Sequence, residues 1–111
     1  MAAGYNLSGH RIVTINSEGA AIYADKDIHA SLLNILGMTT GAVLAGENAT
    51  IIPAGEIAEP SWTFDTSLPV YLNNNGLLTQ ALPTTGAIMQ VGVPMSATKM
   101  LIDIKMPIIQ I

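Results

Sequence analysis

The chain has no cysteine. Disulfides, thiolate metal sites and thiol nucleophiles are therefore excluded, and stability has to come from packing or from partners. Charge is scarce as well: 11% of the residues are Asp, Glu, Lys or Arg, against about 25% in ordinary soluble domains. The four cations, Arg11, Lys26, Lys99 and Lys105, are scattered along a chain of net charge −4. They form no basic strip to neutralise phosphates, so direct nucleic-acid binding is not expected. Long apolar runs are missing too. No window of ~18 residues escapes a Pro, a Gly, a charge or a polar cluster, which argues against a membrane span. The opening Met1-Ala2-Ala3-Gly4-Tyr5-Asn6 has neither the basic start nor the apolar centre of a secretory signal, and synthesis in the cytoplasm is expected.

Half of the 111 residues are hydrophobic. That length is one domain's worth, with a folded surface of roughly 5,800 Å², or about 490 Å² for each charged side chain. A surface so thinly charged favours association, because depletion of charge marks the cores of interfaces. A chain that completes its burial against other molecules is the expectation.

The pattern along the chain is that of an all-β protein. Residues 1–9 are small and polar without periodicity and read as a loose arm that a partner would have to order. Residues 10–111 read as a single β domain, a small barrel or sandwich. Residues 11–16 and 20–24 form a hairpin about Ser17-Glu18-Gly19, with Val13 and Ile15 on one side. Residues 25–34 alone have helical character. There Asp27 is placed to cap a turn carrying Ile28, Leu32 and Leu33 on one face, with Gly37 just beyond. Extended structure resumes over 35–40 and over 49–52, where Pro53 ends it, and 55–62 runs into a loop broken by Pro60.

The clearest hairpin is 69–72 with 77–80 about Asn73-Asn74-Asn75-Gly76, since Asn and Gly tolerate the left-handed backbone that reverses a chain. Residues 87–93 and 99–106 are the last long strands, the latter with Met100, Ile102, Ile104 and Met106 on one face and Asp103 and Lys105 on the other. The end, Pro107-Ile108-Ile109-Gln110-Ile111, is nearly pure hydrocarbon and is expected to pair at a sheet edge, in its own subunit or a neighbour's. An echo between Ile15-Asn16-Ser17-Glu18-Gly19 and Leu72-Asn73-Asn74-Asn75-Gly76 fits either two related half-units or recurrent turn chemistry.

Candidate chemistry is thin. Glu56 and Glu59 are three apart, which in a strand points them to opposite faces, and they read as solubilising carboxylates. His10 and His29 lack the partners at ligand spacing that a metal needs. Asn6-Leu7-Ser8 and Asn48-Ala49-Thr50 match a glycosylation pattern without a secretory context to give it meaning. Met89, Met95, Met100 and Met106 lie in or beside strands and suit a core or a subunit seam. Trp62 and Phe64, between Pro60 and Pro69, form the one aromatic cluster in a loop: a plug over an open barrel end, or an anchor on a partner.

Five runs carry a resemblance: Glu56-Ile57-Ala58-Glu59-Pro60-Ser61-Trp62, Leu68-Pro69-Val70-Tyr71-Leu72, Gly76-Leu77-Leu78-Thr79-Gln80, Pro83-Thr84-Thr85-Gly86 and Val91-Gly92-Val93-Pro94-Met95-Ser96-Ala97-Thr98. Over most of residues 9–111 the chain resembles small structural proteins of tailed bacteriophages, in particular capsid decoration (cement) proteins. The resemblance implies a barrel-like or tulip-like β fold without catalysis or cofactor. It further implies a homo-oligomer, a trimer, bound to the major capsid protein on the outer face of the virion at junctions between subunits, where it stabilises the shell. No binding residue transfers with it. The oligomer and capsid contacts are expected among the aromatic and apolar residues of the arms and loop: Tyr5, Leu7, Trp62, Phe64, Pro107, Ile108, Ile109 and Ile111. The other reading is a tail, fibre or baseplate module, with Trp62, Phe64 and the Asn73 to Asn75 run turned toward a host glycan.

Overall fold

Four β-branched residues in succession make β1 (Ile12–Ile15), whose burial runs without a break from Ile12 to Thr14. Such side chains fill both faces of a pleat, and here both faces are covered. The structure is a computed structural model and describes residues 1–110. Among these, β1 lies inside an antiparallel sheet with β2 (Ala21–Tyr23), β3 (Ile35–Thr39) and β4 (Ile51–Ile52), in the order β2-β1-β3-β4. A second antiparallel sheet has the order β5-β10-β9-β6-β7, from β5 (Gly55–Ala58), β6 (Val70–Leu72), β7 (Leu78–Thr79), β9 (Gln90–Ser96) and β10 (Lys99–Ile102). A short third ladder joins β8 (Ala87–Ile88) to β11 (Ile108–Ile109). The fold is all-β and a single domain. Its only helical pieces among the described residues are 3₁₀ turns at His29–Leu32 and Asn74–Gly76.

The period-2 alternation of a strand sends Ile12 into the larger core, with Met38, Val70, Leu72, Met89, Val91, Met100 and Ile102. Val13 goes the opposite way, into a smaller core with Ala3, Leu7, Ala21 and Ala49. The buried hydroxyl of Thr14 donates to the Asn34 carbonyl at 2.9 Å, and that of Thr39 donates to the Ser8 carbonyl at 2.8 Å. The molecule is a slab of 38 × 36 × 18 Å.

Residues 1–9 are not a loose arm. Leu7 exchanges two backbone hydrogen bonds of 2.9 Å with Val43, Ala3 N–H donates to Glu47 O at 2.8 Å, and both side chains are buried. The apolar residues at positions 3 and 7 were too few to read as a strand, yet they are what closes the smaller core.

The 25–34 segment also departs from expectation. Its 3₁₀ turn has Ile28 at the capping position with no side-chain cap, and of the three apolar residues Leu32 alone is buried, while Ile28 and Leu33 stand in solvent. The Asp27 carboxylate instead receives the Asn74 amide at 2.7 Å, and Asp25 receives the backbone N–H of Asp27. Gly37 is no helix cap. It sits inside β3 with φ +139°, where a Cβ would drive into the Ile52 carbonyl and the Pro53 Cα. The final long strand ends at Ile102, so that Met100 and Ile102 share the buried face as expected but Met106 is 82% exposed. Asn73 to Gly76 makes the expected reversal, with Asn75 at φ 55° and Gly76 at φ 71°.

Two measurements probe this fold. By urea unfolding, Gly37→Ala is expected to cost at least about 3 kcal/mol, since it combines left-handed strain with a backbone collision, whereas Gly41→Ala, in open space, should stay within about 0.5 kcal/mol. Leu7→Ala should cost about 2–3 kcal/mol, the ordinary cavity loss for a buried leucine; a neutral result would mean that the N-terminal segment does not contribute to the core.

Candidate functional site

The segment after β5 is fixed from both sides before any side chain reaches out. Glu59 N–H donates to Thr98 O and Phe64 N–H to Ala97 O, each at 2.9 Å, which ties the stretch to the β9–β10 turn. Further on, the Gln80 side chain accepts from Asp65 N–H at 2.9 Å and donates to the carbonyls of Asp65 and Leu68 at 2.7 and 3.0 Å. Trp62 and Phe64 are thereby held between two clamps, half-buried against the larger core. Their ring centroids are 4.9 Å apart and the planes meet at 44°, giving two inclined faces.

From the other end of the chain comes His10, at φ 58°. A left-handed conformation is unfavourable for a residue with a Cβ, and here it is held by His10 N–H donating to Thr39 O at 2.7 Å. The kink brings His10 Nδ1 to 3.3 Å from a Glu59 carboxylate oxygen and sets the imidazole edge-on to Trp62 at 81° and 5.4 Å. Leu77, Leu78 and Thr79 supply the opposite wall, and the whole encloses an open groove of about 320 Å³.

Glu59 is therefore more than a solubilising carboxylate. Its pKa is held below the ordinary glutamate value chiefly because it accepts the Ser61 backbone N–H, with His10 adding to the effect. Glu56 turns elsewhere, to Lys99 at 3.7 Å, so the two glutamates do not form a pair. His29 is exposed at its 3₁₀ turn, and among the described residues no group of three His, Asp or Glu side chains is placed to hold a metal ion.

The remaining predicted contact residues fall in different places. Tyr5 is 41% exposed, and its hydroxyl is tied to the surface: it accepts the Tyr23 N–H at 2.7 Å, the Tyr23 hydroxyl accepts the Ser8 N–H, and Arg11 sits over the Tyr23 ring at 4.8 Å. Leu7 is buried and offers nothing to a partner. Ile108 and Ile109 pair with Ile88 and Ala87 of the same chain, which meets the expectation of edge pairing, yet 63% and 45% of their surface stays in water. Pro107 lines a small apolar cleft of about 190 Å³ with Leu33, Ile104 and Met106. Ile111 lies outside the described residues.

Sequence reasoning missed His10 and Glu59 as a pair, and Leu33 and Met106 as exposed apolar surface. No local signal links His10 to Glu59, which only strand pairing brings together. For Leu33 the signal was available: a hydrophobic residue directly after the single short turn, with no second turn to bury it. No protein-family model, curated protein or solved structure matches the chain.

Acid unfolding tests the electrostatics. Asp27, lowered mainly by the Asn74 amide, and Asp65, lowered mainly by the Ser67 hydroxyl, behave as Glu59 does. In each case the folded state binds the proton more weakly than the unfolded chain. The stability these carboxylates add is complete above their ordinary titration range and is lost as pH falls from that range through the lowered values. Glu59→Gln is expected to make urea stability fall less steeply over that interval while leaving its shape near neutral pH unchanged.

Proposed function

We propose that the protein is a non-catalytic, self-associating decoration module of a phage head, laid on the outer face of the capsid at junctions between its subunits. The observation that carries this reading is the apolar surface left over once the core is full. Leu33 at 75% and Met106 at 82% exposure line one cleft with Ile104 and Pro107, and Ile108, next in the chain after Pro107, is 63% exposed. Scattered exposed hydrophobics are ordinary, but a clustered set beside a sheet edge is a contact surface.

Magnitudes favour many copies over one strong contact. Burying each of those three side chains is worth roughly 1.5–3 kcal/mol, which only about meets the association cost of 4–15 kcal/mol. One such patch makes a weak dimer or trimer, and a lattice that engages many copies at once makes a durable coat. A slab half as thick as it is wide gives broad contact area for its mass, and the sparse charge lowers the desolvation cost of covering it. The likeness of the turn-and-strand runs to decoration proteins supplies the particle. Stabilisation of the shell is then linkage: a chain that binds the assembled head better than the loose one favours the head.

Sedimentation of the purified chain, alone and with expanded empty heads that lack decoration, tests this. The wild type should form an oligomer at micromolar concentration and pellet with the heads. Met106→Asp combined with Ile108→Asp should give single subunits with an unaltered circular-dichroism spectrum, because both positions are already solvated. A wild-type chain that stays a single subunit at about 100 μM, far above the Kd range of specific interfaces, and leaves the heads bare would overturn the proposal. Copy number per virion separates head from tail: hundreds of copies for a coat, far fewer for a tail or fibre module.

A further inference from the structure

The groove beneath Trp62 and Phe64 is not needed for attachment through the Leu33 and Met106 end, and its lining has a chemistry of its own. We propose that it is a binding site for a single neutral sugar ring.

Three features carry the assignment. The two inclined aromatic faces suit the apolar C–H face of a pyranose, which is attracted by the negative face of an aromatic ring. Polar groups stand ready around them. Among the described residues no protein acceptor takes the Trp62 indole N–H and no partner takes the exposed Thr63 hydroxyl, and since no buried side-chain nitrogen or oxygen lacks a partner, the indole N–H opens to solvent. Sugar hydroxyls are donors and acceptors that match both. The lining also has no lysine, arginine, aspartate or glutamate among the described residues, and its histidine, His10, is paired with Glu59 at 3.3 Å. An anionic ligand would find no free cation, because the His10 imidazole is already paired with the Glu59 carboxylate, so the site suits an uncharged occupant.

Size narrows the choice further. A groove of about 320 Å³ lies at the small end of ligand sites, enough for one ring. An extended peptide would overrun it. The clamps formed by Gln80 and by the Ala97 and Thr98 carbonyls fix the aromatic pair before any ligand arrives, so little ordering cost is left for binding.

Trp62 is the only tryptophan in the chain, which makes intrinsic fluorescence a reporter of this groove alone. Methyl glycosides of glucose, galactose, mannose, N-acetylglucosamine and N-acetylgalactosamine would be titrated into the full chain, with glucuronate and a proline decapeptide as comparisons. At least one neutral glycoside should shift the emission saturably with a Kd on the order of 1 mM, as the small number of atoms in one ring dictates. Thr63→Val, an exposed substitution that the fold tolerates, should weaken that binding about 3- to 10-fold, the loss of one hydrogen bond. Trp62→Phe, followed by saturation-transfer NMR on the sugar, should weaken it as well. The proposal is overturned if no neutral glycoside gives a saturable response up to about 50 mM, well past the expected range. It also falls if Thr63→Val binds as the wild type does, or if glucuronate or the peptide is preferred. None of these readouts depends on the oligomer or on capsids, so failure here and failure of the decoration reading are separable.

Discussion

Burial of β1 on both faces is the constraint on which the molecule rests. A slab 18 Å thick has room for little more than two sheets face to face at the usual ~10 Å separation, and one strand that serves two cores economises on thickness. Ile12 belongs to the larger core and Val13 to the smaller, so adjacent residues of one strand couple the two cores. The N-terminal residues follow from this: without Ala3 and Leu7 the outer face of β1 would stand in water. The residue just before the same strand ties down the end of the second hairpin, because the Arg11 guanidinium donates to Asn75 O at 3.0 Å.

The scarcity of charge is deeper than composition suggests. Of eight carboxylates, Asp25, Glu47, Glu59 and Asp65 each accept a backbone N–H in a turn. These side chains act as turn fasteners, satisfying donors that a tight reversal leaves without a ladder partner. Lys26 is drawn in likewise, buried and donating to Thr85 O at 2.9 Å. Around Met106 the charge that remains in solvent is the exposed Lys105–Asp103 ion pair, at 2.8 Å.

What could be read in advance was what depends on near neighbours in sequence. The hairpins about residues 17–19 and 73–76 were legible because Asn, Gly and β-branched residues decide them locally, and Met100 and Ile102 were legible because alternation places them. Residues 1–9 were not, since Ala3 and Leu7 gain their partners only from residues 21 and 43–49. Nor was Gly37, whose spacing from the helical turn suggested a cap while its real reason is the approach of the β4 backbone. The aromatic loop was identified, with Trp62 and Phe64 named, but its partners were hidden. His10 reaches them through a left-handed kink, and a conformation that a residue type seldom adopts leaves no mark in the sequence.

The ladder between β8 and β11 holds only two residue pairs, and its outer strand, Ile108 and Ile109, stays exposed. Little buried area and few backbone bonds oppose its separation, so it belongs to the low-stability end of the molecule, where amide protons exchange by local opening rather than by global unfolding. The amide protons of the chain's tail are thus expected to exchange sooner than those of the slab that carries it.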